Sequence, residues 1–290
     1  MVSIITINYN GWQDTCELID SLKRYETYPY EVIVVDNASK GDDVQRLRNA
    51  FPDIQVVASD RNLGFAGGNN LGYRYASGNY ILFLNNDMLI KSSFLAPLVH
   101  SLQEGDYAGV SPCIHFLYKP GQIQYYGYHD MTRITLRHTT ELFDPARREN
   151  FLRPVPTEVL HGGAMMFRRE AIEKVGLMAE TYFLFYEEFD WSRRFREAGY
   201  KLFYEPSSNV YHKESMTIKS KTPLRNYYLT RSRIIFARRN NKGVSCFLSC
   251  LYLVVISAPY KMLNYVGKGN WNMISSIWKG TFAGLFAKIY

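Results

Sequence analysis

Polar residues that could bind a ligand follow four successive apolar runs near the start of the chain. Asn8, Asp36 and Asp87 follow three of these runs, and the glycine-rich stretch 62–70 follows another. If the runs are parallel strands, their carboxyl ends meet at one edge of a sheet, which is where open α/β sheets bind ligands. Asn, Asp and Gly are also ordinary loop residues. Four such strand ends in succession nevertheless favour a shared binding site.

Asp87 places a carboxylate at the end of the fourth run. A lone carboxylate there is often a helix cap, but the next predicted helix begins near Ser92, too far along for Asp87 to cap it directly. Mg²⁺ binds proteins through one or two carboxylates together with phosphate oxygens of the substrate. The position therefore predicts a divalent metal site beside a diphosphate.

The glycine-rich stretch 62–70 does not fit a dinucleotide-binding fingerprint, which requires G-x-G-x-x-G between the first strand and the first helix. Here that turn spans residues 8–12 and holds one glycine, Gly11, and no G-x-x-x-x-G-K-[ST] motif occurs in the chain. The stretch can instead begin a helix whose free amides face a negatively charged group such as a diphosphate.

Glu187, Glu188 and Asp190 form the densest acidic cluster and directly follow the aromatic and apolar run 182–186. One interpretation is a helix N-terminus, where acids favour the helix dipole and Asp190 pairs with Arg194. The other is a partly desolvated carboxylate whose pKa is raised to suit a general base for a sugar hydroxyl. Local sequence leaves both open.

The elements that must position these groups follow an alternating pattern. Apolar, β-branched runs predict strands at residues 2–8, 31–36, 54–58, 80–84 and 108–114, and amphipathic stretches predict helices at 13–24, 42–51, 66–76 and 92–103. This alternation indicates a mostly parallel sheet with helices on both faces. After an irregular region at 116–156, strands at 159–167 and 201–204 and helices at 169–175 and 188–198 are predicted.

The end of the chain differs in charge from the rest. Residues 201–290 contain 14 Lys and Arg but only two Asp and Glu, a net charge of +12. Residues 1–200 contain 20 Lys and Arg and 25 Asp and Glu, a net charge of −5, and the two segments sum to +7. A basic helix is predicted at 223–240, an uncharged apolar stretch at 243–260 and an amphipathic stretch at 271–290. The apolar stretch is near the lower length limit of a membrane span. An interfacial hairpin, a true span and a buried core helix are all compatible with it.

Taken together, the motifs resemble the inverting nucleotide-sugar glycosyltransferases of family 2, and most closely the rhamnosyltransferase-like branch that builds bacterial surface polysaccharides. The matching pieces follow the family's order and spacing from residue 2 to residue 212, and they are residues 2–10, 32–39, 62–72, 82–87, 162–165, 186–190, 194 and 211–212. Each piece alone is weak, but the ordered set is specific.

The resemblance implies a GT-A fold, an inverting hexosyltransferase activity and a divalent cofactor, Mg²⁺ or Mn²⁺. Residues 1–222 would form the catalytic domain, with a nucleotide-sugar-binding half at 1–115 and an acceptor and catalytic half at 116–222. Residues 223–290 would be a basic, helical tail associated with a membrane.

The resemblance also implies roles for individual residues. Glu188 would be the base that deprotonates the acceptor, Asp87 and His212 would hold the metal, and His161, Glu187 and Asp190 are predicted to surround the acceptor side of the site. The predicted nucleotide-sugar contacts are Thr6, Asn8, Asp36, Asn62, Gly64, Asn69 and Asn86.

The chain departs from the family pattern at three places. Asn85 and Asn86 replace the first acids of the D-x-D element, Glu188 stands where many members have Asp, and Asn69 stands where other branches have Arg. The incomplete D-x-D element keeps a non-catalytic nucleotide-sugar-binding protein as an alternative. A less favoured alternative is a nucleic-acid-binding protein that uses the basic stretch 225–239.

The expected partners follow from the resemblance and from the tail. The donor would be dTDP-rhamnose or a UDP-hexose, and the acceptor a hydroxyl of a growing, lipid-linked glycan or oligosaccharide. The basic tail suits the anionic inner leaflet, so we expect a peripheral or monotopic protein on the cytoplasmic face of the bacterial inner membrane, and no nucleic acid.

Overall fold

A mixed β-sheet runs through the protein, as seen in a computed structural model that describes residues 1–103, 107–138, 153–213 and 222–289. In that part of the chain the strands are β1 (Val2–Asn8), β2 (Tyr30–Asp36), β3 (Gln55–Ala58), β4 (Tyr80–Leu84), β5 (Met88–Leu89), β6 (Tyr107–Phe116), β7 (Ile123–Tyr125), β8 (Val155–Thr157), β9 (Ala164–Arg168) and β10 (Lys201–His212). Their order across the sheet is β3-β2-β1-β4-β9-β6-β10-β5, with β7 beside β6 and β8 beside β10.

Helices cover both faces of this sheet and continue beyond it. They are α1 (Trp12–Tyr25), α2 (Asp43–Ala50), α3 (Gly64–Tyr73), α4 (Leu95–Gln103), α5 (Arg169–Val175), α6 (Glu187–Glu197), α7 (Pro223–Asn240), α8 (Gly243–Leu251), α9 (Ala258–Val266) and α10 (Trp271–Phe286). A π-helical segment, Tyr252–Ser257, joins α8 to α9.

The first half of the sheet is parallel, as predicted. In β1, Val2, Ile4 and Ile5 are fully buried, which is expected of a strand covered by helices on both faces. The register places Asn8 opposite Asp36, so the polar carboxyl ends of β1 and β2 coincide. The second half is mixed, because β9 runs antiparallel to both β4 and β6.

Two predicted strands have different bounds in the structure. The strand expected at 159–167 begins only at Ala164, because His161 and Ala164 close a turn in which the Ala164 amide donates to the His161 carbonyl oxygen. The strand expected at 201–204 continues to His212, because an irregularity between Glu205 and Asn209 absorbs the polar residues that suggested its end. Residues 139–152 of the irregular region predicted at 116–156 lie outside the described residues.

The first helix of the predicted tail packs into the body of the protein. Ile234, Ile235 and Phe236 of α7 are buried in a cluster with Tyr182 and Phe189. The domain boundary predicted at residue 222 therefore precedes a helix that shares a core with the preceding domain.

The apolar stretch predicted at 243–260 is longer in the structure and extends from Gly243 to Val266. The helix continues past Pro259, which directly follows the π-helical segment Tyr252–Ser257 and Ala258. The segment is long and apolar enough to cross a membrane by length and composition, and little of it is buried.

Candidate active site

Asn8 is the centre of a buried polar cluster at the carboxyl end of β1. Its Nδ2 donates to Asp36 Oδ2 at 2.8 Å and to Asp43 Oδ2 at 2.9 Å, and its Oδ1 accepts from Thr15 Oγ1 at 2.8 Å. Asp36 Oδ1 accepts from the Ser39 amide at 3.0 Å. Each oxygen of Asp36 thus accepts a bond within the chain and keeps a second lone pair that a donor of a nucleotide base could use.

Thr6 and Asn86 lie beside the Asn8 cluster. Thr6 is two residues before Asn8 on β1, hence on the same face of the strand, and its Oγ1 is buried without a hydrogen-bond partner among the described residues. Asn86 Nδ2 donates to Thr15 Oγ1 at 3.1 Å, and Thr15 in turn donates to Asn8. The predicted contacts Thr6, Asn8, Asp36 and Asn86 are therefore brought to one edge of the sheet.

Asn37 orders the loop before α3 and was not singled out from the sequence. Its Nδ2 donates to Asn62 Oδ1 at 3.1 Å and to the Gly64 carbonyl oxygen at 3.0 Å, and its Oδ1 accepts from the Leu63 amide at 2.8 Å. The available signal was its position directly after Asp36 at a strand end. Asn62, predicted to contact the donor, is in this structure a partner of Asn37.

The start of α3 is already occupied, contrary to the prediction that its free amides face a diphosphate. The Leu63 amide donates to Asn37, the Gly64 amide to Asn62 Oδ1 at 2.8 Å, and the Phe65 amide to the Phe183 carbonyl oxygen at 2.7 Å. The prediction was wrong for these three amides, because side chains and a loop distant in sequence satisfy them. Asn69 Nδ2, also on α3, is buried with no hydrogen-bond partner in the described part of the chain.

Gly64 permits the close approach of the Phe183 loop to α3. Its φ is +72°, and a Cβ there would lie 2.2 Å from the Phe183 carbonyl oxygen. We expect Gly64→Ala to lower the free energy of unfolding by about 1–2 kcal/mol for the left-handed backbone and by roughly 1–3 kcal/mol more for the overlap.

Gly121→Ala is the matched control for Gly64→Ala, since Gly121 has a φ of +80° and a Cβ added there would meet nothing within 4 Å. Urea unfolding of both variants separates the two costs. Equal losses of stability would contradict the proposed overlap with Phe183.

Asp87 and His212, predicted as metal ligands, are brought together although they are 125 positions apart. The pairing of Met88 with His212 between β5 and β10 sets this approach. His212 Nε2 lies 3.1 Å from Asp87 Oδ2, and His212 Nδ1 lies 2.6 Å from Gln124 Oε1. Gln124 was missed in the sequence, which offered no local signal for it.

The chemistry of this pair fits one divalent cation. When Nδ1 of His212 carries the proton that Gln124 Oε1 accepts, Nε2 presents a lone pair beside Asp87 Oδ2, as two ligands of one metal would. Among the described residues no group of three or more His, Cys, Asp or Glu is arranged to hold a metal. A cation held by Asp87 and His212 would therefore complete its shell with water and phosphate oxygens.

The turn at His161 is near both the Asp87–His212 pair and Glu188 of the acidic cluster. The His161 ring lies 6.5 Å from the ring of His212, and its Nδ1 accepts from the Gly163 amide at 3.0 Å. Burial, with the nearby His212, lowers the pKa of His161 to about 3, so its ring is neutral. A Cβ on Gly162 would lie 3.6 Å from Glu188 Cβ, so Glu188 packs against this turn.

Glu188 stands in the first turn of α6 with the properties expected of a general base. Burial raises its pKa to about 7. Burial and the adjacent Glu188 charge raise the pKa of Glu187 well above its usual range, and Glu187 Oε2 has no hydrogen-bond partner among the described residues. A carboxyl with a pKa near neutrality can both accept and release a proton at physiological pH.

The loop before Glu188 has an unusual backbone. Phe183, Phe185 and Tyr186 have φ values of 66°, 65° and 78°, a region that non-glycine residues rarely adopt. Such conformations persist where surrounding contacts hold them and are concentrated at functional sites.

Helix α7 supplies contacts that hold this loop. Ser232 Oγ donates to the Leu184 carbonyl oxygen at 2.8 Å, Arg231 Nη1 donates to that of Tyr182 at 2.8 Å, and the rings of Phe183 and Tyr228 stack at 4.9 Å. The sequence suggested no link between the basic helix and the acidic cluster.

Asp190 is also bound to α7, and not to Arg194, the partner that one of the two interpretations of the sequence gave it. Asp190 Oδ1 accepts from Tyr182 Oη at 2.9 Å, Asn240 Nδ2 at 2.8 Å and Arg239 Nε at 3.1 Å. Arg194 instead donates to main-chain carbonyl oxygens, including that of Leu177 at 2.7 Å. Asp190 therefore attaches α6 to α7 and has a structural role in these contacts.

Several arginines of α7 are used inside the protein. Arg239 contacts Asp190, Arg231 contacts Tyr182, and Arg238 Nη1 donates to the carbonyl oxygens of Gly284 and Ala287 at 2.8 and 2.9 Å. This use of the basic helix does not favour a nucleic-acid-binding surface.

A known protein family matches more than half of the chain. The model of the family described as "Glycosyl transferase family 2" matches residues 3–176. The chain belongs to this family. The match covers the strand ends and the turn at His161 but ends before Glu188, so the proposed base lies beyond it.

Several curated proteins are similar to this family 2 chain. A low-salt glycan biosynthesis hexosyltransferase, Agl10, from Haloferax volcanii is 30% identical over 199 residues, which cover 67% of this chain and 61% of that protein. The dTDP-rhamnosyl transferase RfbF of Shigella flexneri is 24% identical, with 77% of this chain and 75% of that protein covered. An N-acetylglucosaminyl-diphospho-decaprenol L-rhamnosyltransferase of Mycobacterium tuberculosis is 22% identical, covering 73% and 76%.

The chain spans 61%, 40% and 40% of the length of the first three curated relatives it matches.

Solved structures share the fold. A mannosyltransferase from Pyrobaculum calidifontis in complex with GDP-Man and Mn²⁺ has a TM-score of 0.60 at 19% identity, covering 98% of this chain and 87% of that one. GalNAc-T7 with UDP, GalNAc and Mn²⁺ has a TM-score of 0.66 at 17% identity, covering 79% and 47%. The predicted GT-A-like fold is confirmed.

Proposed function

We propose that this family 2 protein is an inverting glycosyltransferase that moves a sugar from a nucleoside diphosphate sugar to a hydroxyl of a lipid-linked glycan. The observation that carries the proposal is the arrangement around the His161 turn. Glu188, with a pKa near 7, packs against Gly162 of this turn, and the ring of His161 in the same turn lies 6.5 Å from the ring of His212, which pairs with Asp87. A candidate base and a candidate cation site are thus near the same turn.

In the proposed mechanism, Glu188 removes the proton of the acceptor hydroxyl while that oxygen attacks the anomeric carbon of the donor from the face opposite the diphosphate. One displacement inverts the configuration. A divalent cation held by Asp87 and His212 would supply positive charge for the departing diphosphate. The neutral ring of His161 adds no charge near His212 and Asp87.

The donor site is proposed at the edge formed by β1, β2 and β4. Asn8, Asp36 and Asn86 would recognise the nucleotide there, with Thr6 and Asn69 offering polar atoms that have no partner among the described residues. The similarity to rhamnosyltransferases supports dTDP-rhamnose, with a UDP-hexose as the other candidate. Asn62 and Gly64 would act through the shape of the loop, which Asn37 holds.

Helices α8, α9 and α10 are proposed to lie on the cytoplasmic surface of a bacterial inner membrane. Apolar side chains of this region are exposed without a covering element in the described residues, and they include Val244, Phe247, Leu251, Val255, Ile256, Tyr260, Leu263, Trp271, Trp278, Phe282 and Phe286. Exposed apolar area on this scale marks an interaction surface, and nearby lysines suit anionic lipids. Such a location would bring Glu188 to an acceptor anchored in the bilayer.

The test uses the purified protein in detergent with Mn²⁺, an N-acetylglucosaminyl-diphospho-polyprenol acceptor and, in turn, dTDP-rhamnose, UDP-hexoses and GDP-mannose. We expect one donor to release its nucleoside diphosphate in step with glycosylation of the acceptor, and the new linkage to have the inverted anomeric configuration. Donor binding without release or transfer for every donor would contradict an enzyme and support a non-catalytic binding protein.

A further inference from the structure

A cleft between α7 and the α8–α9 segment gathers positive charge that the reaction described above does not use. The cleft is lined by Thr230, Arg233, Ser257 and Lys261 together with apolar residues, and we call it the basic cleft. Its enclosed space is about 10 Å³, room for about one water molecule, so a larger anion would lie at its mouth. Arg225 lies close enough for its charge to act on Lys261. The two walls of the cleft thus each contribute at least one cation.

The cations of the basic cleft have no acidic partner among the described residues. Arg233 Nη1 donates to Ser257 Oγ at 3.3 Å, its Nη2 donates to the Thr135 carbonyl oxygen, and its Nε is buried without a hydrogen-bond partner there. No ion pair joins Arg225, Arg233 or Lys261 to a carboxylate in that part of the chain. Burial of unpaired charge is costly, so a cluster of this kind favours an anionic ligand.

The pKa of Lys261 reflects this excess of positive charge. Burial, and after it the charges of Arg233 and Arg225, lower its pKa to about 8. An anion bound among the three cations would offset the repulsion and hold Lys261 in its charged form.

The cations around the basic cleft are close to the loop that precedes the proposed base. Tyr186, two residues before Glu188, is within electrostatic reach of both Arg233 and Glu188. Arg225 also lies over the ring of Phe185 at 5.5 Å, in the same loop with the left-handed backbone. An anionic group in the cleft would therefore be close to the acceptor side of the reaction.

The outer side of α9 is apolar. Tyr260 and Leu263, the neighbours of Lys261 on this helix, are 67% and 68% exposed. A ligand that combines phosphate groups with a long hydrocarbon chain can thus satisfy both surfaces, with its phosphates at Lys261 and Arg233 and its chain along α9 in the bilayer.

We propose that the cations at the mouth of the basic cleft bind the diphosphate of the lipid-linked acceptor, which places the acceptor sugar toward Glu188. This inference rests on the proposed function for its choice of ligand. It assigns Arg225, Arg233 and Lys261 to acceptor recognition and separates them from the donor site at the sheet edge. The same phosphate chemistry occurs in anionic bilayer headgroups, so the experiment distinguishes the two sources.

The test compares Lys261→Gln with Lys268→Gln, which removes the same charge from an exposed position after α9. In detergent without anionic lipid, we expect Lys261→Gln to raise the KM for the lipid-diphosphate acceptor tenfold or more, as the loss of a charged hydrogen bond of about 1.5–3 kcal/mol implies. Donor hydrolysis without acceptor should stay unchanged, Lys268→Gln should behave as the wild type, and Lys261→Arg should restore most of the affinity.

A second measurement does not depend on catalysis. Binding of geranyl diphosphate is followed by calorimetry in EDTA, which suppresses binding to the metal-dependent donor site. Weaker binding to Lys261→Gln and to Arg225→Gln than to Lys268→Gln supports the basic cleft even when no donor is turned over. Equal binding to all variants overturns it, whether or not the protein transfers sugar.

Vesicles identify the headgroup alternative. The wild type, Lys261→Gln and Lys268→Gln are sedimented with phosphatidylcholine vesicles and with vesicles containing phosphatidylglycerol. The inference is also overturned if Lys261→Gln and Lys268→Gln lose binding to the anionic vesicles equally and neither changes the KM for the acceptor in detergent.

Discussion

Glu188→Gln is expected to slow sugar transfer by roughly 10²–10⁴-fold, the usual contribution of a positioned general base. Gln keeps the size of the side chain but cannot accept the proton of the acceptor hydroxyl. Glu188→Asp should retain part of the activity, since it keeps the carboxylate and withdraws it by one methylene. Glu197→Gln, the same substitution at the exposed end of α6, is the control, and a Glu188→Gln enzyme within tenfold of the wild type would exclude the assigned role.

The pH dependence provides an independent check on Glu188. Because the base must be ionised and burial raises its pKa to about 7, kcat/KM should rise about tenfold per pH unit below that value and level off above it. The rising limb should be absent from the residual activity of Glu188→Gln. A profile that stays flat between pH 5 and pH 8 in the wild type would contradict this assignment.

The same raised pKa predicts that Glu188 reduces stability at alkaline pH. A carboxyl whose pKa is higher in the folded than in the unfolded protein binds protons more tightly when folded, so stability falls as the pH rises from the ordinary Glu value of about 4.3 to about 7. We expect Glu188→Gln to raise the Tm at pH 8, by roughly 2–4 °C for each kcal/mol of stability regained at this size. At pH 4 the two proteins should unfold at similar temperatures.

The second large effect is expected at Asp87. Asp87→Ala should reduce transfer at least 100-fold at low Mn²⁺, because it removes the carboxylate of the proposed metal pair and leaves His212 as the protein ligand. Higher Mn²⁺ should recover part of the activity. His212→Gln should raise the Mn²⁺ concentration required by at least the 10–100-fold seen when groups around the ligands of a metal are altered, because it removes a proposed ligand itself.

Chelation tests the metal itself. Exhaustive treatment with EDTA should abolish transfer by the wild type, and added Mn²⁺ or Mg²⁺ should restore it. Asp60→Ala, in an exposed loop after β3, controls for the loss of one negative charge. Full turnover after chelation would remove the metal from the mechanism and leave Asp87 with a structural role.

The edge of the sheet could be predicted because its signals are local. The apolar runs that become β1, β2 and β4 are continuous and end at Asn8, Asp36 and three residues before Asp87. Parallel pairing then brings the carboxyl ends together whatever the side chains are. The predicted roles of Glu188 and His212 came instead from the resemblance of the ordered motifs to a family, and no single motif would have suggested them.

Contacts between distant segments could not be predicted in this way. The Phe183 carbonyl oxygen accepts from the Phe65 amide at the start of α3, and Asp190 pairs with Arg239 rather than with Arg194. In both cases a partner nearer in sequence or in solvent was chemically suitable. Water could have satisfied the amides of α3, and Arg194 could have paired with Asp190. Packing of α7 against the 182–186 loop determined the outcome instead, because buried groups must find partners from whichever element lies against them.

The basic end of the chain shows most clearly the difference between what the sequence predicts and what the tertiary structure decides. Its excess of Lys and Arg, and its apolar stretch, already indicated an anionic or membrane partner from composition alone. Which arginines are available was decided only in three dimensions. Arg231 and Arg239 are held by Tyr182 and Asp190 inside the protein, while Arg233 faces a cleft without a carboxylate in the described residues. Charge is a property of the sequence, but whether a charge is neutralised depends on the groups that folding places beside it.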